Sequence, residues 1–197
     1  MNIQNLLTGT IGNQLIGNLS KQLGVEDSKV SSAVSMAVPF ILGQMNKNAQ
    51  TPQGAESLDK ALNKHSNSSI LDNISGLLGG VNSSEGLGIL GHVFGGKQEQ
   101  VAENIGNKSA LSSGNVMQIL TVLAPILMNF LGKQKQQKNV GTDGLSGLLS
   151  GVLGGDGNSS SGFMGMAEKM LDKNGDGNIS DDVMNMGSDL LKGLFKK

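Results

Sequence analysis

Between Val116 and Leu131 one apolar series runs through Val116, Ile119, Leu120, Leu123, Leu127, Phe130 and Leu131. That is the three-and-four spacing of one helix face. The preceding Leu111-Ser112-Ser113-Gly114 places a serine where its hydroxyl can accept from the first unpaired amides of the helix. Upstream, Val30, Ala33, Val34, Ala37, Val38 and Ile41 give the same pattern, with Asp27 or Ser28 as the expected cap. Each predicted helix carries a proline well inside it, Pro39 in the first and Pro125 in the second. Proline lacks the amide proton and its ring crowds the previous turn, so a kink or a break into two helices is expected at each.

The two prolines stand 86 residues apart (125 − 39), and the likeness continues upstream at that offset. Val30 meets Val116, Leu19 meets Ile105, Asn18 meets Asn104, Leu15 meets Val101, Gly9 meets Gly95 and Ile3 meets Ile89. No gap is needed between 3–42 and 89–128. Chance likeness of two apolar helices would not match the glycine and asparagine as well. The pattern therefore predicts a duplicated helical unit, about 3–44 and 89–130, within a domain spanning 1–132. Each copy reads as a short helix, a turn and a longer apolar helix.

Between the copies, Gly54–Lys64 is amphipathic, with Ala55, Leu58, Ala61 and Leu62 on one face. After the polar stretch His65–Ser69, Ile70–Leu78 reads as another short helix. Residues 133–161 read as a Gly- and Ser-rich linker holding one apolar helix, Leu145–Leu153. Its sequence GLSGLLSGVLGG echoes NISGLLGGV at Asn73–Val81.

Composition narrows the fold. Aromatic residues are 3% of the chain, with no Trp and no Tyr, so a core must come from aliphatic residues, ten Met and five Phe. Such a core suits helices better than a β-sandwich, which leans on β-branched and aromatic residues. An all-α protein is expected, with its thirty Gly keeping helices short or loosely packed. The formal charge of −1 and the lack of a sustained basic run argue against a nucleic-acid partner. Lys133, Lys135 and Lys138, diluted by glutamines, read as a solvated helix end. Without cysteine there is neither thiolate chemistry nor a Cys-based zinc site. The N-terminus lacks the basic start and unbroken apolar stretch of a signal peptide, and Ile119–Leu131 is interrupted and short for a bilayer. A cytoplasmic protein without a transmembrane segment is expected.

The candidate chemistry lies in the tail, 162–197, where DKNGDGNISDD at Asp172–Asp182 has the spacing of a calcium loop. Calcium is a hard cation that takes several oxygens, and alternating residues in a tight turn can point theirs inward. Asp172, Asn174 and Asp176 occupy the first, third and fifth places, and Gly177 permits the sharp turn at the sixth. Asn178 offers its carbonyl, Ser180 its hydroxyl or a bound water, and Ile179 an apolar anchor. The twelfth place, which should close the site with a bidentate carboxylate, holds Val183, so Asp182 or Asp181 must substitute. A shortened loop closed by aspartate predicts weak affinity, about 10⁻⁴ M or worse. Phe163, Met166, Met170 and Leu171 lead in, and Val183, Met184, Met186, Leu190, Leu191 and Leu194 lead out, as in a helix-loop-helix. A lone loop of this kind fits a structural role better than calcium sensing.

Other motifs are weaker. Gly91–Lys97, GHVFGGK, has the glycine and lysine spacing of a phosphate loop, but Gln98 stands where Ser or Thr should hold magnesium, and no strand precedes it. His92 reads as a core or interface residue beside Val93 and Phe94, and His65 as solvent-exposed. Two separated histidines offer little for a nucleophile–base pair.

The stretch Leu90–Gln134, through its GHVFGGKQ start, its LSSGNVMQIL helix entry and its LAPILM core, resembles the bacterial domain-of-unknown-function family 937, related to the YidB-like helical proteins. The tail LDKNGDGNISDDVMNM, with its paired aspartates, is similar to an ending common in that family. The resemblance implies an all-α bacterial protein with no enzymatic activity to carry over, and favours Asp182 as the closing ligand. The expected function is a non-enzymatic interaction or scaffold module that engages a protein partner or a second copy of itself. A membrane-active or secreted effector using the Gly-rich helices, and a helix-turn-helix nucleic-acid binder, are the alternatives.

Overall fold

The computed structural model describes residues 3–66 and 83–154, and among them every regular element is helical. The order is α1 (Ile3–Thr8), α2 (Thr10–Leu23), α3 (Asp27–Asn48), α4 (Pro52–His65), α5 (Ser83–Phe94), α6 (Gln98–Ser109), α7 (Ser113–Gln137), a 3₁₀ turn (Thr142–Gly144) and α8 (Leu145–Gly154). These belong to a unit ending at Val152, save the last two residues of α8, which fall in the unit that follows. The predicted helix Ile70–Leu78 and the whole calcium loop lie outside the described residues.

Helix α7 is the axis, packed against α3, α4, α5 and α6. The sequence suggests one apolar face, but every residue from Ile119 to Gly132 is buried. A helix enclosed all round is a core helix, and its polar members, Thr121 and Asn129, are buried with the rest. By length and composition alone α7, Ser113–Gln137, is long and apolar enough to cross a membrane. Yet 78% of that apolar window is buried within the protein.

Both α3 and α7 run through Pro39 and Pro125 as single helices, so of the two outcomes expected there, a kink or a break, the break does not occur. Packing around α7 holds the turns on either side of the missing hydrogen bond. Ser112 caps α7, its hydroxyl accepting from the Asn115 amide at 3.1 Å. At α3 neither Asp27 nor Ser28 caps. Glu26 occupies the cap position without a side-chain bond to the backbone, and Ser28 donates to its carboxylate instead.

The turns before α3 and α7 share one geometry. Gly24 adopts φ 67°, and its amide and that of Val25 both reach the Ser20 carbonyl. Ala110 adopts φ 56°, and its amide and that of Leu111 both reach the Gly106 carbonyl. A left-handed residue is easy for glycine and strained for alanine. Ala110→Gly should therefore stabilise the protein by about 0.5–1 kcal/mol, and Gly24→Ala should destabilise it by a similar amount. Urea unfolding followed by circular dichroism checks both, and equal midpoints for all three proteins would refute the strain.

Residues 138–152, beyond α7, still belong to this unit. The expected Leu145–Leu153 helix is α8, with Leu145, Leu148 and Leu149 buried. Ser146 Oγ donates to Asn46 Oδ1 at 3.0 Å, and Asn46 Nδ2 donates to Ser150 Oγ at 3.4 Å.

Candidate interaction groove

Helix α4 begins at Pro52, two residues before the expected Gly54. Thr51 accepts from the Gly54 amide at 3.2 Å, and Pro52 follows at a position where its missing amide costs nothing. Its apolar side, Ala55, Leu58 and Leu62, is buried, and α4 packs on α7. Its other side faces a groove, about 1170 Å³ in volume, bounded by the end of α3, by α4 and by α5. Met45, Leu58, Val93 and Met128 supply its apolar floor. Lys47, Lys64 and His92 stand exposed at its rim.

One residue fixes the spacing of the walls. Asn48, the last of α3, donates through Nδ2 to the Val93 carbonyl at 3.0 Å and, more weakly, to that of His92 at 3.5 Å. It thereby holds the end of α5, while its own Oδ1 accepts from Gln44 Nε2 at 3.0 Å. The Asn48 carbonyl meanwhile accepts from the Thr51 hydroxyl at 3.1 Å and from the Thr51 amide at 3.3 Å, pinning the start of α4. A Cβ on Gly54 would collide with that same carbonyl, so glycine is needed at this approach.

The far end of α4 is tied to α7 by a polar seam. Asn129 Nδ2 donates to the His65 carbonyl at 2.7 Å, and Gln136 Nε2 donates to Ser66 Oγ at 2.7 Å. Lys135 Nζ lies 2.8 Å from Asp59 Oδ1 and donates to Asn63 Oδ1 at 2.6 Å. A Cβ on Gly132 would stand 2.6 Å from the Leu62 carbonyl, which shows how closely the two backbones pass. His65 Nδ1 lies 3.5 Å from Glu85 Oε1, bringing the end of α4 to the start of α5. Asn129 is fully buried, so Asn129→Leu should remove its bond to the His65 carbonyl and destabilise the fold by about 1–2 kcal/mol. Denaturant unfolding checks this, and an unchanged midpoint would show that the bond contributes nothing.

Two readings of single residues are corrected here. His65, expected in solvent, is buried, because the α4–α7 seam closes over it. Of the two places expected for His92, core or interface, the core does not hold: it is exposed on the groove side of α5 while its neighbours Val93 and Phe94 turn inward. Lys135 belongs to no solvated helix end, since its side chain is only 11% exposed and paired. Nothing in the local sequence marks Asn48 as the hinge of both walls. Its signal is only that of an amide at a helix end. Gly91–Lys97 proves to be the end of α5 and a turn with Gly95 at φ 58° and Gly96 at φ 88°, so its glycines serve a helix–helix connection.

The residues expected to hold calcium, Asp172, Asn174, Asp176, Asn178, Ser180 and Asp182, all fall outside the described residues. Among the described ones, no three His, Asp or Glu side chains gather where they could hold a metal ion.

The described unit is thus an all-α domain wrapped around one enclosed helix, with a groove on one side. Residues 5–134 match the model of a family described as bacterial protein of unknown function, DUF937, and the chain belongs to that family. No curated protein and no solved structure matches it.

Proposed function

We propose that the protein is a non-enzymatic interaction module whose groove between α4 and α5 receives the apolar face of a helix. The observation that carries this reading is the floor of the groove. Met45 and Met128 line it together with Leu58 and Val93, between walls whose spacing Asn48 sets. Methionine adapts its shape to what it meets, and helix-binding grooves use it for that reason. At about 1170 Å³ the groove also exceeds the roughly 300–1,000 Å³ usual for small-molecule sites. The occupant is a protein segment, from this chain, a second copy or another protein. Methyl-labelled methionine provides the test. The Met45 and Met128 methyls should show nuclear Overhauser contacts to aliphatic methyls outside the groove walls, and contacts to water alone would end the reading.

The same proposal includes a duplicated unit and a calcium-binding tail. Supporting the duplication, α3 and α7 start at Asp27 and Ser113, and the left-handed residues are Gly24 and Ala110. Both pairs keep the 86-residue offset of the sequence match (113 − 27 and 110 − 24). Supporting the calcium site is the oxygen spacing of Asp172, Asn174, Asp176, Asn178, Ser180 and Asp182 in the proposed helix-loop-helix 162–197. Calorimetric titration should show binding at about 10⁻⁴ M or weaker, abolished in Asp172→Ala plus Asp176→Ala. No heat from the wild type at millimolar calcium would overturn it.

A further inference from the structure

Charge is spread unevenly around the groove. Two lysines line it, Lys47 near the end of α3 and Lys64 near the end of α4, and both are exposed. Their own helices offer them no counter-ion. Ala61 and Lys60 stand three and four residues before Lys64, and Gln44 and Gly43 stand at those places before Lys47. Neither lysine forms an ion pair among the described residues, whereas Lys60 on the same helix pairs with Glu56 at 3.9 Å. Among those residues Glu85 is the one carboxylate that lines the groove, and it approaches His65 Nδ1 at 3.5 Å, not a lysine. The lysines also mark the two ends. Lys47 adjoins Asn48, which pins the start of α4 at Thr51, and Lys64 is the last residue but one of α4. From Thr51 to Lys64 the helix rises about 20 Å. Between them the walls are uncharged, with Ser57 and Ala61 on α4 facing Gly88 and Ile89 on α5.

Resting on the groove reading above, we infer that the partner is an acidic amphipathic helix of another protein. Its apolar face covers the Met45–Leu58–Met128 floor, and the Asp and Glu residues flanking that face meet Lys47 and Lys64. A helix of about 13 residues spans the distance between the two lysines. Over that length, apolar residues at three-and-four spacing give one face to the floor and leave the flanks for carboxylates. Exposed rim charges add little to affinity one by one, but they decide which partner is accepted and how fast it arrives. A basic helix of the same shape would set like charges against both ends and be turned away.

The test uses three fluorescein-labelled synthetic helices with the same leucine face, flanked by Glu, Gln or Lys, added to the full chain. By fluorescence anisotropy at low salt, the Glu helix should bind about tenfold more tightly than the Lys helix. That gap should close in about 1 M salt, where charges are screened beyond about 3 Å. Lys47→Gln plus Lys64→Gln should abolish the preference, and Lys47→Glu plus Lys64→Glu should reverse it. Both residues are exposed, so both variants should keep the wild-type circular dichroism. With methyl-labelled methionine, the Met45 and Met128 signals should shift over the same range of Glu-helix concentration. Equal binding of all three helices with those shifts would overturn the inference and keep the groove reading. No shift with any of them at millimolar helix would overturn both. Phosphatidylglycerol vesicles that shift the two methyls when the Glu helix does not would overturn the inference in favour of a membrane.

Discussion

Gly86→Ala should destabilise the protein by about 2–3 kcal/mol, although alanine is the better helix former. Gly86 is buried where α5 crosses α7, and a Cβ there would collide with the Thr121 carbonyl and come within 2.6 Å of Thr121 Cγ2. Neither atom can yield cheaply. The carbonyl belongs to the most enclosed stretch of α7, and the side chain is anchored because Thr121 Oγ1 donates to the Met117 carbonyl at 2.7 Å. The substitution must therefore push α5 off α7 and loosen the floor of the groove. Gly88 lies two residues on in the same helix with nothing within 4 Å of its would-be Cβ. Gly88→Ala should consequently stabilise by about 0.5–1 kcal/mol, the ordinary helix gain. Urea unfolding of the pair separates packing from propensity. Equal shifts in the two variants would mean that α5 and α7 do not cross as closely as described.

This contrast shows where sequence reasoning stops. Gly86 and Gly88 are alike as residues in GLGIL, and no local pattern tells the backbone-to-backbone contact from the open position. Helices, by contrast, were legible wherever periodicity and caps agreed. Ser112 starts α7, because a hydroxyl just ahead of an apolar run acts within three residues of itself, whereas the same action of Thr51 at α4 is missed by the apolar spacing, which places the start at Gly54. The start of α3 was harder, since Asp27 and Ser28 are both good caps and the chain uses neither. For α7 the apolar spacing predicted a helix correctly but understated its burial. A 3.6-residue pattern reports the most apolar face, whereas α3, α4, α5 and α6 together enclose the rest. The groove was not legible at all. It arises from Asn48 holding two helices that are distant in sequence, and only the neighbouring Met45 hints at a soft surface. The proposed calcium loop rests on the opposite kind of signal, a short-range oxygen spacing in one stretch of sequence, and its test is chemical.

The pair formed by Lys135 and Asp59 carries the other large expectation, and it was misread for the same reason of distance. KQKQQK looks like a solvated helix end, yet α7 brings Lys135 against α4, where its side chain is 11% exposed and that of Asp59 is 19% exposed. The ammonium sits 2.8 Å from Asp59 Oδ1, and Asn63 bridges the two, accepting from Lys135 and donating to Asp59 Oδ2 at 3.0 Å. Removing one partner leaves a nearly enclosed charge without its counter-ion, which costs more than an intact exposed pair contributes. Lys135→Ala should destabilise by about 2–3 kcal/mol, toward the low end for buried pairs because water still reaches Asp59. Replacing both, as Lys135→Met with Asp59→Leu, should recover most of that loss, since no charge remains stranded. Added salt should change the Lys135→Ala penalty little, because screening acts weakly on a pair this enclosed. A penalty below about 0.5 kcal/mol, or one that vanishes in high salt, would place Lys135 in solvent after all.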